Sequence, residues 1–291
     1  MGNGPDHEHG VLHGREFARD PVTTQAVNQI RVGERTLFGL SDGFLIMTEG
    51  FLGTPEHPTA GYEAMAQEHQ PPRMPLGCFF LPGEQNVLID TGMGPVDSDG
   101  KGTLVGGNLL TALARMDVRP DDIDMLVLTH LHGDHSGTIG QLNSGEPTFR
   151  NARTLIGAGD WDHFVEKGQA PRPLAKHTAH ALRQLEAGGR VTLLDGDTDI
   201  APGVRRLSAP GHTPGHSFYV IHDHGERVLV VGDAFYCPQQ LSETEWGALS
   251  DVDPPLARQT RERLKRDLEE HGGGAVGCHF PELKVGRALS R

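Results

Sequence analysis

The sequence predicts an α+β fold in which helices cover stacked sheets, on three observations. Short apolar runs of strand length recur through the chain and several follow one another in hairpin-like succession. Others are separated by segments with a helical period, giving strand-helix-strand units. Hydrophobic residues make up 36% of 291 positions, enough for a sizeable buried core.

The elements read as follows. Residues 1–27 are polar, carry His7, His9 and His13 without a regular spacing, and are expected to form a flexible arm; residues 28–291 are expected to form one domain. From Gln29 to Met47 the pattern gives short strands broken by Gly33, Gly39 and Gly43. A long loop over residues 50–75 holds a short helix near Tyr62 to Glu68. LGCFFL (76–81) and NVLID (86–90) form a hairpin about Pro82-Gly83. Asn108 to Met116 is a helix presenting Leu109, Leu110, Leu113 and Met116 on one face. MLVLT (125–129) is a buried strand, and a helix opens from His135 towards Leu142. RTLIGA, VTLLD, VRRLSA, SFYVIH and RVLVVGD supply further strands, with helices at Asp160 to Lys167, His177 to Ala187 and Pro254 to His271.

Charge narrows the function classes. With 26 Lys+Arg against 39 Asp+Glu the net charge is −13, which repels a polyphosphate backbone and speaks against nucleic acid as a partner. No apolar run approaches the ~20 residues that a bilayer needs, and MGNGPDHEHG lacks a signal core, so a cytoplasmic protein without membrane contact is expected. Cys78, Cys237 and Cys278 are read as reduced thiols.

Chemistry concentrates in THLHGDH, residues 129–135, directly after the buried strand. Side chains at i and i+2 on extended chain point the same way, so His130 and His132 can converge on one cation. Asp134 and His135, past the bend, can reach a second. Helix capping or a polar turn accounts for one or two such residues, but three histidines and an aspartate crowded there need a compensating charge. Imidazole with carboxylate suits zinc, iron, manganese or cobalt rather than calcium or magnesium. His212, Asp233 and His279 are metal-type residues at or just after later apolar runs.

These motifs, IDTG at 89–92, THLHGDH, GHTPGH, GDA at 232–234 and the late GCH, stand in the order of the metallo-β-lactamase-fold hydrolases, which residues 30–285 resemble. The resemblance implies an αββα sandwich, two mixed sheets face to face with helices outside, and a catalytic domain with two divalent ions, zinc foremost. It implies His130, His132 and His212 on one ion, Asp134, His135 and His279 on the other, and Asp233 bridging. Asp90 would orient a ligand imidazole and His216 would act through a hydrogen bond without touching metal.

A metal-bridging hydroxide would attack an electrophilic carbon or phosphorus, with Asp134 orienting the water. A G-x-S-x-G elbow is lacking at Gly215-His216-Ser217. Tyr236, three positions after Asp233, is similar to the pattern of N-acyl-homoserine lactonases, and its phenol can donate to an oxyanion. The expected activity is therefore opening of lactones or cleavage of related carboxylic esters on a small-molecule substrate. The ending CHFPELKVGR resembles the arylesterase and organophosphate-hydrolase-like branch, which is one alternative. A glyoxalase-II-like thioesterase or a persulfide dioxygenase is another. Phe51, Leu52, Tyr62, Met65 and Phe235 are candidates for an apolar pocket wall, and the arm with the 50–75 loop for a homodimer contact.

Overall fold

Why the chain makes two large sheets, beside a short two-stranded pair, is visible in its hairpins. The computed structural model describes residues 27–67, 71–97, 102–168, 170 and 173–287; the arm expected over 1–27 lies outside them except for Val27. Strands β1 (Val27–Val32) and β2 (Arg35–Ile46) turn about Gly33-Glu34, with Gly33 at φ 59°, a conformation that favours glycine. β3 (Leu52–Gly53) and α1 (Ala60–Ala66) occupy the long loop. β4 (Arg73–Leu81) and β5 (Val87–Ile89) pair antiparallel about the expected Pro82-Gly83 turn. β6 (Val96–Asp97), β7 (Leu104–Gly106) and α2 (Leu109–Ala114) follow, then β8 (Met125–Val127) and the single turn α3 (Gly133–Ser136). β9 (Arg153–Gly157), α4 (Ala158–Asp160) running into a π-helical turn over Trp161–Glu166, α5 (Lys176–Ala187) and β10 (Val191–Leu194) complete the first half. The second half comprises β11 (Thr198–Ala201), β12 (Val204–Ser208), β13 (Ser217–Asp223), β14 (Glu226–Val230), β15 (Gly247–Ala248), α6 (Pro254–His271) and β16 (Gly274–Val276).

The first sheet runs β10-β9-β8-β5-β4-β2-β7-β6 with β1 also on β2, and the second runs β11-β12-β13-β14-β16. Both are mixed: β5, β8, β9 and β10 are parallel neighbours, as are β14 and β16. Alternation along the strands builds three apolar layers. Phe79, Leu81, Val87, Ile89 and Val127 face Tyr219, Ile221, Val228 and Val230 between the sheets. On the outer side of the first sheet Phe80, Leu88 and Leu126 meet Leu109, Leu113, Leu182 and Leu185 of α2 and α5. On the outer side of the second, Phe218, Val220 and Leu229 meet Leu264 and Leu268 of α6. The arrangement is helix, sheet, sheet, helix.

Helix α6 starts and stops where its sequence dictates. Pro254 fills the first position, Asp253 accepts from Leu256 N at 3.1 Å, and Gly272 ends it at φ 68°. Three expectations need correction. Gly39 and Gly43 do not break β2: Gly39 makes room for Leu283, and Gly43 sits at a bulge against the Val105 carbonyl, where any Cβ would collide. Leu110 is off the buried face of α2, which is completed by Ala112, because consecutive residues are 100° apart. The helix expected from His135 to Leu142 starts at Gly133 and lasts one turn.

Candidate metal centre

The parallel strands β5, β8, β14 and β16 deliver their carboxyl ends to one edge of the sandwich, and the expected residues meet there. Asp90 follows β5, the THLHGDH turn follows β8, Asp233 follows β14 and His279 follows β16, while His212 comes from the β12-β13 loop. Two groups of donor atoms form, each within 4.8 Å: His130, His132, His212 and Asp233, and Asp134, His135, Asp233 and His279.

In the first group, His132 Nδ1 lies 3.0 Å from both His130 Nε2 and His212 Nε2. Asp233 Oδ2 is 3.7 Å from His212 Nε2 and 3.9 Å from His130 Nε2. In the second, Asp233 Oδ1 is 3.1 Å from both His135 Nε2 and His279 Nε2, and Asp134 Oδ2 is 3.7 and 3.5 Å from the same two nitrogens. Asp233 thus offers one oxygen to each group.

The outer ring nitrogens are already engaged. His135 Nδ1 donates to Asp90 Oδ2 at 2.9 Å, His212 Nδ1 to Asp251 Oδ1 at 3.0 Å, and His279 Nδ1 to the Pro75 carbonyl at 2.8 Å. Thr129 Oγ1 donates to Asp90 Oδ2 at 2.7 Å and so accepts from His130 Nδ1 at 3.1 Å. With Nδ1 engaged outside, the Nε2 atoms of these four imidazoles face inward. His135 Nε2 and Asp233 Oδ1, 3.1 Å apart, are both buried without a hydrogen-bond partner, because neither is aligned with the other. A shared cation satisfies both atoms, and the donor set fits two divalent ions.

Electrostatics divide the groups. Burial holds His130 well below the ordinary imidazole range and, with His212 beside it, brings His132 down to about 3. For His279 burial also works downward, but the Asp233 and Asp134 carboxylates outweigh it and hold the ring up at about 10. His135 is raised likewise: burial opposes, and Asp233, Asp134 and Asp90 prevail. Asp233 and Asp134 are both lowered by the facing imidazoles despite burial.

Around the donors, Asp90 is fixed by Thr129 N at 2.7 Å and Cys278 Sγ at 3.3 Å, and its φ of 61° is unusual for a residue with a side chain. His216 stays out of both groups: its Nε2 accepts from Asp233 N at 3.2 Å and so steadies the shared carboxylate. Tyr236 OH donates to Asp233 Oδ2 at 2.9 Å, lies 2.9 Å from Ser250 Oγ, and its ring stacks on His279 at 5.2 Å. Burial, then the Asp233 charge, raise this phenol well above its usual range, so it is a proton donor at neutral pH.

The pocket candidates separate. Phe51 meets the Tyr236 ring edge-on at 5.1 Å, and Tyr62 is half-buried in the same cluster. Leu52 and Met65 are buried inside that cluster, beneath it. Phe235 is not in the wall: it is wholly buried under α6, because extended backbone at φ −138° sends it away from Tyr236. Sequence reasoning missed Asp251, Ser250 and Asp160. Asp160 accepts from Leu131 N at 2.9 Å, Thr213 Oγ1 at 3.0 Å and Gly215 N at 2.6 Å, tying the two histidine-bearing loops together. Nothing near it in sequence signals that role.

Comparison with known proteins agrees with this geometry. The family model described as Metallo-beta-lactamase superfamily matches residues 78–271. An N-acyl homoserine lactonase of Bacillus thuringiensis is 27% identical over 214 residues, 68% of this chain and 78% of that protein. Metallo-beta-lactamase domain-containing protein 1 of Mus musculus is 29% identical over 185 residues, 62% of this chain and 59% of its own length. Among solved structures, hydrolase AbOPH superposes with a TM-score of 0.77 at 23% identity, covering 91% of this chain and 94% of that one. AidC, described as a dizinc quorum-quenching lactonase in complex with a product, gives 0.75 at 22% identity, with 91% and 94% covered. These two likenesses are likenesses of fold.

Proposed function

The chain belongs to the metallo-beta-lactamase superfamily, and from that premise we propose that it is a dinuclear metal-dependent hydrolase that opens lactones of the N-acyl-homoserine type or cleaves related carboxylic esters. The observation that carries this reading is Asp233, whose two oxygens serve two donor groups while the Tyr236 phenol stands on one of them. The lactonase named among the relatives, and the lactonase with bound product among the structural neighbours, support the substrate class.

His130, His132 and His212 with Asp233 would hold one ion, and Asp134, His135 and His279 with Asp233 the other; zinc fits both sets, as do iron, manganese and cobalt. Two such ions supply a water that is deprotonated near neutral pH and an electrophile for the substrate carbonyl. Asp134, on the solvent side of the second group with 20% of its side chain exposed, is placed to accept a hydrogen bond from that water. Tyr236 is placed to turn its proton from Asp233 Oδ2 to the oxyanion that develops when the carbonyl is attacked. The ring C–O bond would then break, and the alkoxide would take the proton that Asp134 receives from the attacking water, leaving a hydroxy acid. Phe51 and Tyr62 give this edge an apolar flank suited to an acyl chain. A small molecule is the partner in this reading, within a cytoplasmic protein that pairs as a homodimer. Among the described residues no helix is long and apolar enough to cross a membrane.

The test is a panel on metal-loaded full-length protein: acyl-homoserine lactones, aryl esters, phosphotriesters, β-lactams and S-lactoylglutathione. Lactones or carboxylic esters should give the highest kcat/KM. A thioester or phosphotriester that outpaces all of them would reject the substrate class.

A further inference from the structure

We propose that Arg261 is a positioning residue of the metal centre: by occupying Oδ2 of Asp251 it commits Oδ1 to His212 Nδ1, and so keeps the His212 lone pair at Nε2, facing the first donor group. The inference rests on the metal-centre reading above and adds to it a residue on α6.

Asp251 and Arg261 form an ion pair with side chains 0% and 1% exposed. Arg261 Nη1 donates to Asp251 Oδ2 at 3.2 Å, joined by Ala248 N at 3.3 Å. The other oxygen takes His212 Nδ1 at 3.0 Å. Arg261 Nε reaches the Thr244 carbonyl at 2.9 Å, so one guanidinium spans both ends of the 244–251 loop. That loop and the two residues after it hold the centre at three further points: Val252 N donates to the His212 carbonyl at 3.1 Å, Asp253 N to the Gly211 carbonyl at 2.9 Å, and Ser250 Oγ meets Tyr236 OH. The partners explain why a cation is built in here. Asp90, which does the corresponding work for His135, is fixed by two donors from Thr129 and the Cys278 thiol, whereas Asp251 has one backbone amide besides the guanidinium. A buried carboxylate that has only one neutral donor for its second oxygen can rotate away from the imidazole; an ion pair with a planar guanidinium fixes it.

The chemistry gives a test with a non-additive signature. In Asp251→Asn one oxygen becomes NH2. Turned to Arg261 that NH2 meets another donor; turned to His212 it requires a bare Nδ1, which moves the ring proton to Nε2 and closes that atom to a metal. In Asp251→Asn combined with Arg261→Met, the NH2 turned away from His212 faces only the long contact to Ala248 N and no guanidinium, so the amide oxygen can return to His212. Full-length wild-type and variant proteins would be titrated with Co2+ by visible absorption, with metal counted after dialysis and folding followed by circular dichroism. Wild type should bind two Co2+. Asp251→Asn should retain one and bind the other about 10- to 100-fold more weakly, and the double variant should recover at least tenfold of a hundredfold loss. The inference is overturned if Asp251→Asn binds both ions as tightly as wild type, or if the double variant binds no more tightly than Asp251→Asn. Should Asp251→Asn fail to fold, Arg261→Met alone decides: about tenfold weaker binding of one ion supports the inference, and unchanged binding of both overturns it. A wild-type chain that binds no Co2+ would instead refute the metal-centre reading, so the two failures are told apart by the wild type.

Discussion

The two halves of the centre share Asp233 but differ in what they ask of a metal. The first is three imidazoles, of which burial keeps His130 and His132 neutral, the latter down at about 3. The second adds Asp134, and its carboxylates hold His135 and His279 up, the latter at about 10. The first half is a nitrogen site in which His130 and His132 are ready for an ion. The second is an anionic site that holds protons in the ion's place. A shared carboxylate therefore does not make the two positions equivalent.

The largest effect should come from removing what they share. Asp233→Asn takes an anionic oxygen from both groups, and kcat/KM on the preferred substrate should fall about a thousandfold or more, ~4 kcal/mol, with both ions lost on dialysis. Retention of both ions at unchanged turnover would show that Asp233 bridges nothing.

The next test separates the halves by protons. His279, held up at about 10, carries a proton between roughly pH 6.5 and 10 in the metal-free protein that an incoming ion must displace, and His135 is raised in the same direction by the same carboxylates. Affinity at the second group should rise about tenfold or more across that range, while the first group, whose His130 and His132 are already neutral, changes far less. Calorimetry in buffers of different ionisation enthalpy reads the protons released. Equal release at both steps would erase the distinction.

Much of this centre is legible in the sequence because its donors follow apolar strands: the strand fixes where each residue emerges, and parallel strands bring their ends together. His130, His132, Asp134, His135, His212, Asp233 and His279 all converge, and the layered fold follows from the same alternation. Asp251 and Asp160 were not legible, because they act from irregular segments with no period, on partners 39 and 29 to 55 residues away. Phe235 was misplaced for a local reason: an extended backbone turns adjacent side chains to opposite sides, so Tyr236 can face the centre only if Phe235 does not. Gly39 and Gly43 read as breaks although their role is close approach within one strand.

Smaller effects refine the picture around Tyr236. Tyr236→Phe should lower kcat about tenfold with both ions retained, since only a proton donor is removed. An unchanged kcat would leave the ring a packing role against His279 and Phe51. Phe51→Ala should raise KM for long-chain acyl substrates by a few fold, roughly 1 kcal/mol, and leave short-chain ones nearly unaffected. Equal effects on both would place the acyl chain elsewhere.

The most direct measurement is the number of divalent ions that the purified full-length chain retains after dialysis, followed together with its hydrolysis of a lactone or carboxylic ester through chelation and reloading. Two ions per chain, with turnover lost and regained alongside them, is the outcome expected of two donor groups joined at Asp233. One ion or none in a fully active chain, or turnover that survives complete chelation, would contradict it.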